Sequence, residues 1–428
     1  MRLQQSVTIL LLFGGYGSLY FCRADLAVAM PLLVDDLVRH GVTHADALIR
    51  MGSIVSLGVL AYGLGKLFLG GLGDFWGGRN SFLIGLAGAT GFTLLFSSGT
   101  GIPLFTIAWL GNRLTQSIAW AGLIKVSSKW FDFSSYGAII GILSLSYLLG
   151  DAAARPLMGM LIDRGFGWHA LFYLAAAVAA VFLTANALLL RESRVEAGYP
   201  EAQPNPLNLF AHSQRAPRNV GVLLLPLLRS RAFLLVCLLS LGCTIIRETF
   251  NVWTPVYMRD YLGYGMGSAA RMSAIFPGVG AISVLACGWL SDRLRNGRAL
   301  LLFLGLAATA VALIVLMSQR PGEHGAALPL LTIGAVALCL LGPYSYLGGA
   351  FALDFGGKQA GAMSSGIIDG VGYLGAVLAG DSVARISVAF GWQGVFAGLA
   401  SVSALAAVGA GSLYWMSCKS AAIGRHLP

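Results

Sequence analysis

The sequence predicts an all-α membrane protein with twelve transmembrane helices arranged as two pseudo-symmetric six-helix bundles. Three observations point there. Of the 428 residues, 57% are hydrophobic and only 11% charged, with a mean hydropathy of +0.77, whereas a soluble domain carries about 25% charged residues. The 28 basic and 18 acidic side chains cannot coat the two or three cores a soluble chain of this length would build. Second, the apolar residues fall into twelve runs, each long enough to span a bilayer. Third, the two sets of six runs carry matching residues at one fixed offset.

The first six runs lie near 7–34, 47–73, 80–98, 102–127, 135–162 and 168–190, and the second six near 231–258, 268–291, 299–318, 327–354, 359–388 and 392–416. The first follows a single arginine and is far longer than a signal-peptide apolar region, with no small-residue cleavage site after it, so it reads as an uncleaved first span. Between the sets, residues 191–230 hold five prolines and the arginines Arg191, Arg194, Arg215, Arg218 and Arg229, the composition of a polar linker. The expected domains are therefore an N-terminal bundle (1–190), a cytoplasmic linker (191–230) and a C-terminal bundle (231–428), with no appended domain. An even number of spans puts both termini and the linker on one side. That side collects 15 Lys/Arg against 6 on the other, so the positive-inside rule makes it cytoplasmic.

The repeat is legible directly. Arg23 precedes Pro31 by eight residues and Arg247 precedes Pro255 by eight, while FGWHALF at 166–172 answers FGWQGVF at 390–396, all at an offset of 224. A duplicated six-span unit explains this, and its halves should pack about a pseudo-twofold axis normal to the membrane.

The net charge of +10 comes from singly scattered cations rather than a basic amphipathic run, which fits a membrane surface and gives no reason to expect nucleic acid. Cys22, Cys237, Cys243, Cys287, Cys339 and Cys418 stand singly in apolar stretches, so neither a disulfide framework nor a metal site is expected. No P-loop or nucleophile constellation is present, so no catalytic residue, cofactor or enzyme activity is expected either.

Ionisable residues inside spans are costly and mark function unless they are paired. The cations are Arg23, Lys66, Arg113, Lys125, Arg155, Arg247 and Arg385; the acids are Asp25, Asp151, Glu248, Asp369 and Asp381. Asp151/Arg155 and Asp381/Arg385 stand four apart and can pair along one helix. Arg23, Lys66 and Arg247 lack such a partner, since Asp25 lies about 200° round the helix from Arg23 and Glu248 about 100° from Arg247. Equivalent positions in the two halves should bring Arg23 and Arg247 face to face near the midplane, where two guanidinium forks suit a tetrahedral dianion such as phosphate. The structural alternative has each arginine bonding carbonyls freed by the nearby proline.

Each half also carries a Gly/Asp/Arg turn after its second span, GGLGDFWGGRN at 70–80 and GWLSDRLRNGR at 288–298. This resembles the loop signature of the major facilitator superfamily, which implies a conformational latch on Asp74, Arg79, Asp292 and Arg293; in the first copy Phe75 replaces the arginine that usually follows the Asp. The stretches GYGSLYFCRADLAVAMPLL at 15–33, YGLGKLFLGGLGD at 62–74, QSIAWAGLIKVSSKWF at 116–131, RETFNVWTPVYM at 247–258, CGWLSDR at 287–293, ALDFGGKQAGAMSSG at 352–366 and GYLGA at 372–376 resemble the organophosphate:phosphate antiporter family, which includes the glycerol-3-phosphate and hexose-phosphate transporters. The resemblance runs through both halves. It implies that Arg23 and Arg247 bind phosphate, that Lys66 lines the cavity, and that Tyr16, Tyr20, Gln116, Trp120 and Tyr147 line the pocket. Ala121 and Gly122 stand where many members have a Pro-Pro pair, and Tyr147 and Phe351 replace histidines of the glycerol-3-phosphate transporters. Arg113, one turn before Gln116, is an extra cation able to read a second anionic group or to pair with a neighbouring helix.

The expected function is secondary transport of an organic phosphate, of sugar phosphate or glycerol phosphate type, exchanged for inorganic phosphate by alternating access. The expected partners are those two ligands and the lipid bilayer, and the protein is expected to be a monomer in the bacterial inner membrane. Two alternatives stay open: a proton-coupled symporter of another organic anion, titrating at Asp25 or Glu248, and a transporter-like sugar-phosphate sensor.

Overall fold

A computed structural model of the chain describes residues 2–69, 76–202, 225, 227–293, 297–320 and 327–423. Among them there is no strand. The helices are α1 (Arg2–Arg39), α2 (His44–Leu69), α3 (Gly78–Ser97), α4 (Ile102–Gln116), α5 (Ala119–Trp130), α6 (Phe133–Asp163), α7 (Trp168–Leu189), α8 (Arg231–Val256), α9 (Met266–Ser273), α10 (Ile275–Arg293), α11 (Gly297–Ser318), α12 (Ala327–Tyr346), α13 (Ala352–Leu378) and α14 (Asp381–Ile423). The protein is an integral, multi-pass, all-α membrane protein.

Among the described residues, nine helical stretches are long and apolar enough to cross a bilayer, and the difference from twelve has local causes. The fourth expected span is interrupted at Ser117 and Ile118 into α4 and α5. The fifth, α6, carries the Asp151–Arg155 pair within its length. The last two expected spans fall in one continuous stretch, Ser364–Met416, that runs from α13 into α14, and non-helical backbone at Gly391 (φ 69°) marks the turn between them. The expected turn near 355–358 is helical instead. α12 passes through a π-helical turn at Leu347–Phe351 into α13, where Asp354 accepts both of its 2.9 Å hydrogen bonds from Arg298. Most of the linker, residues 203–224 and 226, lies outside the described residues.

The chain packs as two compact units. One comprises Met1–His212 with Val252–Asp260 and Tyr264–Ala274; the other comprises Ser213–Asn251, Tyr261–Gly263 and Ile275–Pro428. The end of α8 and all of α9 thus pack with the first 212 residues.

In the first unit, Leu12, Tyr16, Leu19, Phe82, Leu86, Leu123, Val126 and Trp130 form a buried core. A second cluster stacks Phe96 on Phe105 and Phe172, with Trp168 edge-on to all three. Helices approach closely where glycine allows it: a Cβ at Gly150 of α6 would collide with the Gly17 carbonyl of α1, and one at Gly159 with the Gly267 carbonyl of α9. In the second unit Phe250 stacks on Phe276 and Phe396. Outward-facing side chains such as Leu10, Phe68, Val181, Leu238, Ile282 and Leu405 are exposed, as lipid-facing positions should be.

Candidate functional site

Spacing along three helices builds a polar cluster inside the first unit. On α1, Tyr16, Tyr20 and Arg23 share a face at i, i+4 and i, i+3 spacing. On α2, Tyr62 and Lys66 stand four apart, and on α4 Trp109, Arg113 and Gln116 share a face. Arg23 donates from Nε to Gln116 Oε1 at 2.6 Å and from Nη1 to the Tyr20 hydroxyl at 3.1 Å. Gln116 in turn donates to Asn112 Oδ1 (2.5 Å), and Asn112 donates to Thr93 Oγ1 (2.9 Å) and to the Ala89 carbonyl (3.2 Å). The guanidinium plane is therefore fixed by a relay that ends on the backbone of α3.

Aromatic rings complete the cluster. The Arg23 guanidinium carbon lies 4.5 Å from the Tyr20 ring centre and 4.4 Å from that of Tyr62, a ring also approached by Lys66 Nζ (5.3 Å) and the Arg113 guanidinium (5.0 Å). Tyr62 is only 1% exposed, so the quadrupole of one buried ring faces three cations. Tyr16 packs on Tyr20 (5.8 Å) and Trp120 (5.0 Å), and Tyr20 packs on Tyr147 (5.4 Å). The structure thus brings together Tyr16, Tyr20, Arg23, Lys66, Gln116, Trp120 and Tyr147, and adds Tyr62, Asn112 and Arg113. Tyr62 lay within a quoted motif, and its i, i+4 spacing to Lys66 was the available signal.

Arg247 lies in the second unit. It pairs with Glu248 at 2.6 Å and its guanidinium lies 4.9 Å from the Tyr344 ring centre. This corrects the expectation that Arg247 lacks an acidic partner: two long side chains one residue apart can reach round about 100° of helix and meet. Asn251 also donates to Glu248, at 3.4 Å. Two of the acceptors of Arg23 are the neutral oxygens of Gln116 and Tyr20. The i, i+4 pairs form as expected: Arg155, 1% exposed, binds both oxygens of Asp151 at 2.9 and 3.2 Å and donates to Ser273 at 3.1 Å, while Arg385 meets Asp381 at 2.6 Å.

Of the four residues expected to form a latch, Asp74 lies outside the described residues, as do the side chains of Asp292 and Arg293. Arg79 donates to the carbonyls of Leu190 (2.6 Å) and Ala187 (2.5 Å). The residue that sequence reasoning missed here is Glu192. It accepts from the amides of Gly78 (2.9 Å) and Arg79 (2.6 Å) at the start of α3 and meets Lys129 at 2.6 Å, so a carboxylate from beyond α7 caps α3 in trans. Burial raises the Glu192 carboxyl, but Lys129 and the two amides outweigh it and hold it below its ordinary value. These groups line an open cleft of about 650 Å³.

A second ion-pair cluster joins the ends of α1 and α2 to the turn after α8, and a separate pair joins α6 to α9. Arg259 reaches Asp35 at 2.6 Å, the Pro31 carbonyl at 3.2 Å and Asp260 at 3.4 Å; Asp260 also lies 3.4 Å from His44, and Arg271 pairs with Asp163. Asp35 and Arg259 are 224 residues apart, the repeat offset itself.

Known proteins match this chain along most of its length. It is 24% identical over 413 residues to the "Probable hexose phosphate transport protein" of Chlamydia muridarum, covering 92% of this chain and 88% of that one. It is 23% identical over 421 residues to the "Glycerol-3-phosphate transporter" of Bacillus subtilis (95% and 91%) and 24% identical over 406 residues to the "Membrane sensor protein UhpC" of Escherichia coli (94% and 90%). The resemblance read from the motifs is borne out. The fold matches a crystal structure of a bacterial homologue of the human lysosomal transporter Spinster, with a TM-score of 0.76 at 14% identity and 98% of each chain covered. The model of the Major Facilitator Superfamily matches residues 12–380, which contain nine of the twelve predicted spans whole, parts of two more and every residue of the Arg23 cluster, and the chain belongs to that superfamily.

Proposed function

We propose that this protein is a secondary transporter of an organic phosphate, of sugar phosphate or glycerol phosphate type, which it exchanges for inorganic phosphate by alternating access. The observation that carries this reading is the Arg23 cluster: a guanidinium oriented by Gln116 and Tyr20, with Lys66 and Arg113 on the same Tyr62 ring. Such a concentration of cations in a membrane interior is stabilised by an oxyanion, and a planar fork gives phosphate paired hydrogen bonds. The relatives named as hexose phosphate and glycerol-3-phosphate transporters support the same ligand class.

In this reading Arg23 and Lys66 hold the phosphoryl group, and Arg247 is a further phosphate-binding residue. Tyr16, Tyr20, Gln116, Trp120 and Tyr147 shape the pocket. Residues 1–190 and 231–428 are the two repeat halves, 191–230 the cytoplasmic linker, and Asp74, Arg79, Asp292 and Arg293 the latch, joined by Glu192 and Lys129. The protein works as a monomer in the inner membrane with both termini cytoplasmic, and it performs no catalysis. Closing the molecule on unneutralised cations is penalised by desolvation, and a bound dianion removes that penalty, which makes exchange obligatory.

Proteoliposomes test this directly. Vesicles loaded with phosphate should accumulate labelled external phosphate and empty vesicles should not. Equal uptake into empty vesicles under an acid-outside gradient would replace exchange with proton symport. Binding without any transport would favour a sensor, the role named for the Escherichia coli relative.

A further inference from the structure

The acid nearest the cluster has no role in the reading above. Asp25 is fully buried (0% exposed) on α1. Its Oδ1 accepts from the Leu26 amide at 2.6 Å, and among the described residues its Oδ2 has no hydrogen-bond partner. A carboxylate so placed is costly unless a cation compensates it or a proton neutralises it. A cation within electrostatic reach of it is Arg113 of α4, whose guanidinium lies 5.0 Å from the Tyr62 ring centre and 5.7 Å from that of Trp109.

The surrounding groups can be named helix by helix. On α1 itself stand Cys22, which donates to the Ala175 carbonyl of α7, and Arg23. Helix α3 brings Thr93, which accepts from Asn112 of α4; α4 also brings Arg113, and α2 brings Tyr62 and Lys66, with Arg113 and Lys66 both over the Tyr62 ring. Arg23, Lys66 and Arg113 together carry three positive charges. With Asp25 ionised the cluster is a net dication, and with Asp25 protonated it is a trication.

We infer that Asp25 is a proton-binding site coupled to the anion: it takes up a proton from solvent when an oxyanion occupies the Arg23–Lys66–Arg113 cluster and returns it when the anion leaves. The inference rests on the phosphate reading given above. Its physical basis is linkage. An added dianion competes with Asp25 for the same cations and makes the ionised carboxylate less favourable, and by reciprocity the protonated carboxyl leaves Arg113 to the anion. The only bond formed is the carboxyl O–H, and the unpartnered Oδ2 is the atom that accepts the proton. Arg113 is then a positioning residue that transmits the charge of Asp25 to the ligand.

The test is a proton count. The full chain in lipid nanodiscs is titrated with inorganic phosphate by calorimetry in buffers of different ionisation heat, as wild type and as Asp25→Asn. The ligand's own titration contributes equally to both. Wild type should take up more protons per phosphate than the variant, by up to one, and its affinity should weaken with rising pH by up to roughly tenfold per unit relative to Asp25→Asn. Equal proton counts would overturn the inference while leaving the phosphate reading intact. Phosphate binding to neither protein would overturn that reading and the inference with it. Should Asp25→Asn fail to insert, the infrared difference spectrum of wild type with and without phosphate decides: a carboxylic-acid carbonyl band gained as a carboxylate band is lost supports the proton site, and its absence refutes it.

Discussion

Replacing Arg23 by lysine keeps the charge and removes the geometry, and the structure fixes what is lost. Nε disappears, and with it the 2.6 Å bond to Gln116 that sets the plane of the fork; the flat guanidinium that lies over Tyr20 and Tyr62 at 4.5 and 4.4 Å becomes a compact ammonium. A ligand phosphate then loses one of two parallel charge-assisted bonds. Such a bond contributes about 1.5–3 kcal/mol, so the phosphate Kd should rise about ten- to a hundredfold. Equilibrium binding of labelled phosphate to purified protein measures it, with proteoliposome exchange as the functional readout. Gln116→Ala, which removes the orienting acceptor but leaves the fork, should cost less, about 1 kcal/mol. Gln116→Glu should cost more than Gln116→Ala, because a fixed carboxylate on Nε competes with the ligand for the same cation. Wild-type affinity in Arg23→Lys, or equal affinities in the two Gln116 variants, would refute the claim that an oriented guanidinium at this position binds phosphate.

Three further outcomes follow from other parts of the molecule. The Asp35–Arg259 pair, with side chains 31% and 24% exposed, should show a coupling energy of about 1 kcal/mol in a double-mutant cycle of Asp35→Asn and Arg259→Gln followed by unfolding in detergent, between the values for exposed and buried pairs. Because Glu192 is held below its ordinary value, its contribution to stability is present at neutral pH and is lost as pH falls through that lowered value. The melting temperature of Glu192→Gln should therefore lie below wild type at pH 7, and the gap should close in acid. Gly150→Ala places a Cβ against the Gly17 backbone and should destabilise by about 1–3 kcal/mol, seen as a lower melting temperature, whereas Gly141→Ala, with nothing within reach of its Cβ, should not.

How far the sequence reached depends on whether a feature is local or depends on contacts between distant segments. The repeat offset, the spans and the cations Arg23 and Lys66 were legible because span length, hydropathy and residue spacing are properties of the string. The break between α4 and α5 was not, since Ser117 and Ile118 carry no strong helix-stopping signal. Helical-wheel angles placed Arg247 and Glu248 apart, but the reach of their side chains joins them. Glu192 capping α3, and Arg113 of α4 meeting the Tyr62 ring of α2, depend on which helices pack together, and no local pattern states that. Asp25 and Arg113 each stand out as costly charges in the sequence, which is enough to name them and not enough to say which helices they face.

The pairing of residues 35 and 259 carries an evolutionary consequence. If two copies of a six-span ancestor once met as a homodimer, the copies of position 35 would have faced each other across the twofold axis, since an axial contact joins a residue to its own equivalent. Identical residues there would have been two acids or two bases, and like charges so close repel. An acid facing a base at such a point requires the two positions to be encoded separately and free to diverge. The 2.6 Å contact between Asp35 and Arg259 therefore requires positions 35 and 259 to differ: the same side chain at both would set aspartate against aspartate or arginine against arginine.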